Sequence, residues 1–371
     1  MCSQVIDIRQ SFASLRLNKK LRHREIARFL GITEAELVDA HVGVSKLTAM
    51  KSSPHLARAI RLKTPYSQLI AQMERLGEVL ALTRNEYGVH EKVGVYEHVS
   101  QQGEIGIVHG QAIDLRLFYK HWAFAYAFEE GKEDALQRSI QFFDEFGTAT
   151  HKVFLLPDSD HAYFNEFVDD FSALNQDSGI QVQEKGLTIS SCQFTLPEKF
   201  SMNEFQRDWS QMTDSHEFFE LLKKHALNRL MALKVIGNHF AQALTVSSMR
   251  HVFEEAKEQK IPLMIFVGNR GAIQIHTGVV QKIVDAKGWF NILDPGFNLH
   301  LDIQKIDQIW LVRKPSKDGV ITSMELLDDQ GEMIALVFGE RQLGQPELPA
   351  WRNLMEQTLD DQSNRELSMV D

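Results

Sequence analysis

Two stretches of this chain, 184 residues apart, carry the same punctuation in one unbroken register. Asn85-Glu-Tyr-Gly-Val-His-Glu-Lys-Val-Gly94 lies over Asn269-Arg-Gly-Ala-Ile-Gln-Ile-His-Thr-Gly278. Asp114-Leu-Arg-Leu117 then falls on Asn298-Leu-His-Leu301, and Ser139-Ile-Gln-Phe-Phe-Asp144 on Ser323-Met-Glu-Leu-Leu-Asp328. Gly147 meets Gly331, and Val153-Phe154 meets Val337-Phe338. A register that holds glycines, turn residues and apolar positions together over about 70 residues is the mark of a duplicated structural unit. The chain is therefore read as two tandem copies of a unit of roughly 150 residues, a common domain size.

Within each copy the pattern is mostly strand. Leu263–Val267, Ala272–His276 and Ile309–Val312 are short runs rich in β-branched and aromatic residues, separated by turn signals at 268–271, 294–296 and 318–319. Helical periods precede each copy, at 22–40 and 66–76 and again at 214–236 and 246–258. This predicts an α+β fold with a tandem duplication, each half a large antiparallel sheet with packed helices. The expected division is 1–156 for the first repeat, 157–205 for a connection holding one helix at 160–173, 206–360 for the second repeat, and a polar, disordered tail at 361–371.

Composition narrows the class. With 43% hydrophobic and 24% charged residues, the 371-residue chain has the make-up of a globular protein. No apolar run approaches the roughly 20 residues that span a bilayer. The opening MCSQVIDIRQSF lacks the basic-then-apolar order of a secretion signal. Two cysteines, Cys2 and Cys192, give neither a disulfide framework nor a thiolate metal cage. A cytoplasmic protein without membrane insertion is expected. The formal charge of −10 argues against a nucleic-acid partner, because phosphate neutralisation needs a basic face.

Two local motifs bear on function. Glu25–Leu37 resembles a helix-turn-helix, with Gly31 at the turn and Thr33 as a cap, but its second helix offers Glu34, Glu36 and Asp39, which repel DNA. Packing of a helical hairpin is the favoured reading. Asp214-Ser-His-Glu217 forms a D-x-x-E capping box, which places His216 in the first turn of a helix. The positive helix end disfavours imidazolium, and a neutral imidazole is what iron requires. Phe218, Phe219, Leu221 and Leu222 follow, suited to line an apolar cleft. The alternative is a surface histidine beside a core-facing aromatic pair, and both stay open at this point. Gly268–Gly271 is a turn between strands rather than a phosphate cradle, and no GxSxG, HExxH or Walker pattern occurs. Arg313-Lys314-Pro315 and Arg341 supply cations that suit ligand carboxylates.

Several segments taken in order resemble the HemS/ChuS hemin-degrading factor family: Leu82–Glu86, Asp114–Phe118, Met212–Phe218, Val267–Gly271, Gln274–Gly278 and Val312–Pro315. The resemblance covers about residues 20–358. It implies haem b as ligand, with His216 as the proximal ligand of the haem iron and Arg116 over the distal face, the two together forming the catalytic pair. It also implies Arg229, Lys314 and Arg341 as partners of the propionates, with Phe219 and Phe338 against the porphyrin. Leu336 and Phe338 stand where some members carry Gln and Tyr. His90 matches a histidine proposed for accessory haem contact. The repeat register sets Arg116 against His300, so the copies differ at this position.

The resemblance implies a cytoplasmic protein that receives haem from an inner-membrane importer and degrades it, with an external reductant or reductase supplying electrons. The alternative it implies is a carrier that delivers haem to a separate haem oxygenase. DNA binding through residues 25–37 is the outlying third reading.

Overall fold

A computed structural model describes residues 2–44, 55–132, 135–185, 195–342 and 344–368. They form two compact units. The first comprises 1–84, 91–186 and 269–274; the second comprises 85–90, 187–268 and 275–371.

The first unit opens with helices α1 (Cys2–Lys19), α2 (His23–Leu30) and α3 (Glu34–Asp39), then β1 (Leu56–Arg61), α4 (Tyr66–Ala71) and β2 (Val79–Arg84). Strand β3 (Gly88–Gly94) is followed by β4 (Ser100–Gln102), β5 (Ile105–His109) and β6 (Asp114–Phe118). Long strands β7 (Phe124–Lys132), β8 (Ala135–Phe143) and β9 (Ala149–Leu155) lead to α5 (His161–Phe171), the helix expected at 160–173. The second unit repeats this plan with α6 (Met202–Ser210), α7 (Glu217–Lys224), α8 (Arg229–Val235), β10 (Ala241–Leu244), α9 (Val246–Glu258) and β11 (Leu263–Gly268). The chain continues through β12 (Ala272–Gly278), β13 (Ile283–Ala286), β14 (Trp289–Asp294), β15 (Phe297–Asp302), β16 (Gln308–Ser316), β17 (Gly319–Leu327), β18 (Met333–Gly339) and α10 (Pro349–Ser368).

The strand orders are the same in the two units. The first unit has β1-β7-β8-β9-β2 and the second β10-β16-β17-β18-β11, antiparallel throughout. The repeat register survives to the residue: Phe124 pairs with Phe143 and Gln308 with Leu327, and Ser139 pairs with Phe154 and Ser323 with Phe338. Even the irregularity at Phe142/Phe143 recurs at Leu326/Leu327. The fold is α+β with a tandem duplication, as the sequence reads.

Each unit packs helices on both faces of its strands, and strand alternation decides which residue meets which layer. In β7, Ala125 and Ala127 join Tyr66, Phe164 and Phe167 of the α4–α5 side, while Tyr126 and Phe128 join Phe12, Ile26 and Leu37 of the α1–α3 side. In β16, Ile309 and Leu311 meet α9 and α10, while Trp310 and Val312 meet α6–α8. Asn269 ties the first unit together, donating to the carbonyls of Arg84 and Thr150, each at 2.8 Å. Its counterpart Asn85 does the same in the second, donating to Gly268 at 3.1 Å and Ile334 at 2.8 Å. Each side-chain oxygen also accepts two backbone N–H groups of its own turn.

Helix α1 is a feature the sequence pattern does not announce. It is held by Arg9 on the Val42 carbonyl and by Arg16 on the buried Glu130. Helix α10 runs on through residues 361–368, the polar stretch read as a tail; residues 369–371 lie outside the described residues. So do residues 186–194 of the connection, Cys192 among them. No helix among the described residues is long and apolar enough to cross a membrane.

Candidate functional site

The site residues of the second unit stand on the face of its strands that looks toward α6–α8. Alternation along β16 carries that face from Trp310 and Val312 on to Lys314. In β17, Met324 and Leu326 enter the α9–α10 core, so Glu325 between them takes the opposite face, and β18 adds Leu336 and Phe338. Phe338 packs edge-on against Phe266, ring centroids 5.2 Å apart.

Above these lies α7, with His216 at its N-cap rather than in its first turn as the D-x-x-E pattern predicts. The reason is local. The Asp214 carboxylate turns onto the His216 N–H at 2.9 Å, while Glu217 reaches back to the Thr213 N–H and hydroxyl at 3.0 and 2.8 Å. The assigned helix thus begins at Glu217, although the His216 backbone is already helical (φ −69°, ψ −25°). The same Asp214 oxygen lies 2.7 Å from His216 Nδ1. Hydrogen bonds from the His216 backbone and ring hold the Asp214 pKa below the usual carboxylate range. An ionised carboxylate only accepts, so in the neutral ring the proton sits on Nδ1 and Nε2 keeps its lone pair. The His216 side chain is 91% exposed.

Of the aromatic pair that follows, Phe218 is buried and Phe219 is 62% exposed. Arg229 opens α8 just after its cap Asn228, which accepts the Met231 N–H at 2.8 Å. Its guanidinium lies 4.9 Å from the Phe218 ring and 5.8 Å from Phe219, and the Lys314 ammonium lies 4.3 Å from Phe218.

Both cations converge on Glu325, which is wholly buried. Arg229 Nη1 reaches Oε2 at 2.5 Å, and Lys314 Nζ bonds Oε1, which also accepts the Ser323 hydroxyl at 3.2 Å. Burial alone would raise the Glu325 pKa, but the two cations outweigh it and push it down to about 2. Burial and the Arg229 charge lower that of Lys314, with Glu325 opposing. Two positive groups and one carboxylate leave the cluster with a single net positive charge. Arg341, just past β18, lies 3.7 Å from Asp318, so it too has an acidic neighbour.

The other candidate histidines are engaged. His225 Nε2 is 2.8 Å from Asp208, His276 stacks on Phe297 at 3.6 Å, and His300 Nδ1 is 2.7 Å from Asn291. His90 is fully buried with its ring 5.0 Å from Phe297, so it presents no surface to a ligand. Among the described residues no group of three or more acidic, histidine or cysteine side chains is placed to hold a bare metal ion.

Arg116 belongs to the first unit. Leu115 and Leu117 enter the core, so Arg116 takes the other face of β6, half-buried, where it pairs with Asp114 and donates to the Leu115 carbonyl at 3.0 Å. Its counterpart His300 bonds Asn291 instead, so the copies differ here in charge and in partner. The helix-turn-helix stretch is a packed hairpin. Glu34 and Asp39 of α3 are buried, Glu34 pairing with Arg84 and Lys152 and Asp39 with Arg61. A helix buried along that face cannot enter a groove.

Sequence reasoning did not single out Glu325, although a lone carboxylate inside the apolar run Met324–Leu327 was a visible signal. Asp214 was read as a helix cap, and its bond to the His216 ring went unforeseen.

Duplicated sheets with helices on both faces, an exposed imidazole backed by a carboxylate, and a cationic cluster beside an exposed phenyl ring define a class of protein that comparison identifies. The chain belongs to the haemin-degrading HemS/ChuX family, whose domain matches residues 31–171 and 226–358. It is similar to the hemin transport protein HemS of Yersinia enterocolitica, 36% identical over 331 residues, covering 89% of this chain and 90% of that one. The holo form of PhuS, a heme-binding protein from Pseudomonas aeruginosa, superposes with a TM-score of 0.87 at 37% identity, over 94% of this chain and 97% of PhuS. ChuS, an Escherichia coli heme oxygenase, gives 0.80 at 33%, over 94% and 98%.

Proposed function

We propose that the protein binds haem b with His216 as the iron ligand and degrades it, releasing iron. The observation that carries this reading is the His216 imidazole: exposed, held by Asp214 through Nδ1, and left with Nε2 as its coordinating atom. Metal-bound histidines characteristically present one nitrogen while the other donates to a carboxylate. Beside it, Phe219 offers an exposed apolar surface for a porphyrin face, and the Arg229–Lys314–Glu325 cluster offers one net positive charge for a propionate. Phe338 and Arg341 complete the set that the resemblance assigns to this ligand.

The tasks of the chain's own residues are separable. His216 orients the substrate, Asp214 fixes the tautomer, Phe219 excludes water from one porphyrin face, and the cations set the position of the acidic edge. Arg116 is assigned by the resemblance alone, as hydrogen-bond donor to the oxidant. Electrons come from an external reductant or reductase, and haem arrives from an inner-membrane importer.

A carrier that passes haem to a separate haem oxygenase is the second reading. The name of HemS as a transport protein favours it, and it uses the same residues. Product analysis of the haem complex with reductant, in the presence of catalase, decides between them. Formation of an open-chain tetrapyrrole and free iron supports degradation; intact haem after many equivalents of reductant leaves the carrier.

A further inference from the structure

The chain carries a formal charge of −10, yet residues 16–28 hold six cations, Arg16, Lys19, Lys20, Arg22, Arg24 and Arg28, against the single acid Glu25. The fold sorts them. Arg16 turns inward onto the buried Glu130 and the Leu21 carbonyl, and His23 meets the same carboxylate at 2.8 Å. These contacts pin the junction of α1 and α2 to the first unit. Lys19 ends α1, Lys20 turns the chain with a left-handed φ of 52°, and Arg22 stands at the N-cap of α2. All three are exposed, and among the described residues none of them has an acidic partner. Glu25 instead accepts the Arg22 backbone N–H at 2.7 Å.

Beside them, on the last turn of α2, Phe29 is 64% exposed. The Lys19 ammonium lies 5.1 Å from the centre of its ring, so cations and phenyl ring share one corner. Helix α2 already meets the core through Ile26 and Ala27, and packing does not call for a phenylalanine at this position. A duplex would offer this corner phosphates but nothing apolar, and the buried α3 keeps the hairpin out of a groove. A bilayer surface offers anionic headgroups with hydrocarbon a few ångströms below them. Cations flanking one apolar side chain match that surface.

We propose that the α1–α2 corner is a docking surface for an anionic bilayer, with Lys19, Lys20 and Arg22 on headgroup phosphates and Phe29 in the interfacial layer. Docking is peripheral and reversible, because three cations and one ring fall far short of an anchor. The negative charge of the whole chain opposes it, so this corner alone faces the bilayer and the protein docks in one orientation. The inference does not depend on the haem reading.

The test mixes the full chain with vesicles of phosphatidylcholine alone and with vesicles in which roughly a third is phosphatidylglycerol, and measures bound protein by flotation. Wild type is expected to bind the anionic vesicles at least about tenfold more tightly, and to lose that preference as salt rises from about 0.05 to about 0.5 M. Lys19→Gln/Lys20→Gln/Arg22→Gln should lower affinity for them roughly a hundredfold. Phe29→Ser should lower it roughly tenfold with the salt dependence unchanged. Haem affinity should stay at the wild-type value in both variants.

Equal binding of wild type to the two kinds of vesicle overturns the inference, as does a triple variant that keeps the preference. Phe29→Ser with wild-type affinity also overturns it, because charge alone does not single out a bilayer. A short DNA duplex is titrated alongside. Tighter binding to the duplex than to anionic vesicles, lost in the triple variant and kept in Phe29→Ser, gives the corner to nucleic acid and overturns the lipid assignment. If the triple variant melts early, Phe29→Ser and the wild-type salt series decide.

Discussion

Asp214 grips His216 twice with a single oxygen, once at the backbone N–H and once at Nδ1 of the ring, at 2.9 and 2.7 Å. The short loop before α7 thereby fixes both the position and the tautomer of an otherwise exposed side chain. The ring needs no residue beyond Asp214 to orient it. Its placement is encoded within two residues of itself.

His216→Ala should weaken haem binding and move the Soret band, since His225, His276 and His300 are each engaged elsewhere. Asp214→Ala removes only the partner of the ligand, and losses of roughly tenfold to a hundredfold in affinity are usual for such partners. A haem titration followed by absorbance ranks the two. An Asp214→Ala protein with wild-type affinity and spectrum would remove the carboxylate from the account.

Arg116→Ala should leave haem binding in place, because His216 and the cations of the second unit remain. Loss of one charge-assisted donor costs about 1.5–3 kcal/mol. That corresponds to roughly a tenfold to hundredfold drop in turnover if the contact acts only in the transition state. Soret decay and iron release with catalase present measure it. Equal rates in the two proteins would discard the role.

Asn269→Ala should destabilise the first unit and Asn85→Ala the second. Each change strips donors from at least two buried-edge carbonyls and an acceptor from its own turn, on the order of 1–3 kcal/mol. Hydrogen exchange resolved by peptide reads this out directly: protection should fall in β2 and β9 for Asn269→Ala, and in β11 and β18 for Asn85→Ala. The reverse pattern, or uniform loss, would contradict the assignment of each asparagine to its unit.

Acid should unfold the protein in two stages. Burial drives the pKa of His41 down to about 4, with the Leu37 carbonyl partly opposing, and burial drives that of His151 down to about 3. Both rings are thus neutral in the folded state and bind protons more readily when unfolded, so stability begins to fall below the ordinary histidine pKa of about 6.5. Glu34 and Glu325 are held at about 2, where their cationic partners outweigh burial. The stability they contribute is present above the ordinary glutamate pKa of about 4.3 and is lost as pH falls toward 2. Chemical denaturation between pH 8 and pH 3 should show the first decline below pH 6.5 and a steeper one below about pH 4.5. Glu325→Gln should flatten the second.

The repeat was legible because turn glycines and apolar strand positions are local features that duplication copies in register. The helices around 22–40 and 214–236 were legible from their periods, and His216 from the residues flanking it. Other features were not, each for a physical reason. The Arg229–Glu325 pair joins residues 96 positions apart, and nothing in either neighbourhood marks the other. Helix α1 is fixed by Arg16 on Glu130, a contact 114 residues away, as well as by Phe12 and Leu15 in the core. Whether His216 lies in the first turn or at the cap depended on which donors Asp214 and Glu217 would take.

The division of the chain has a consequence for its birth and its history. The first unit contains residues 269–274, and the second contains 85–90. On the ribosome, the earlier unit stays incomplete until nearly three quarters of the protein has been made, when Asn269 at last reaches Arg84 and Thr150. A gene break between the copies would leave each product without the short segment now supplied by the other.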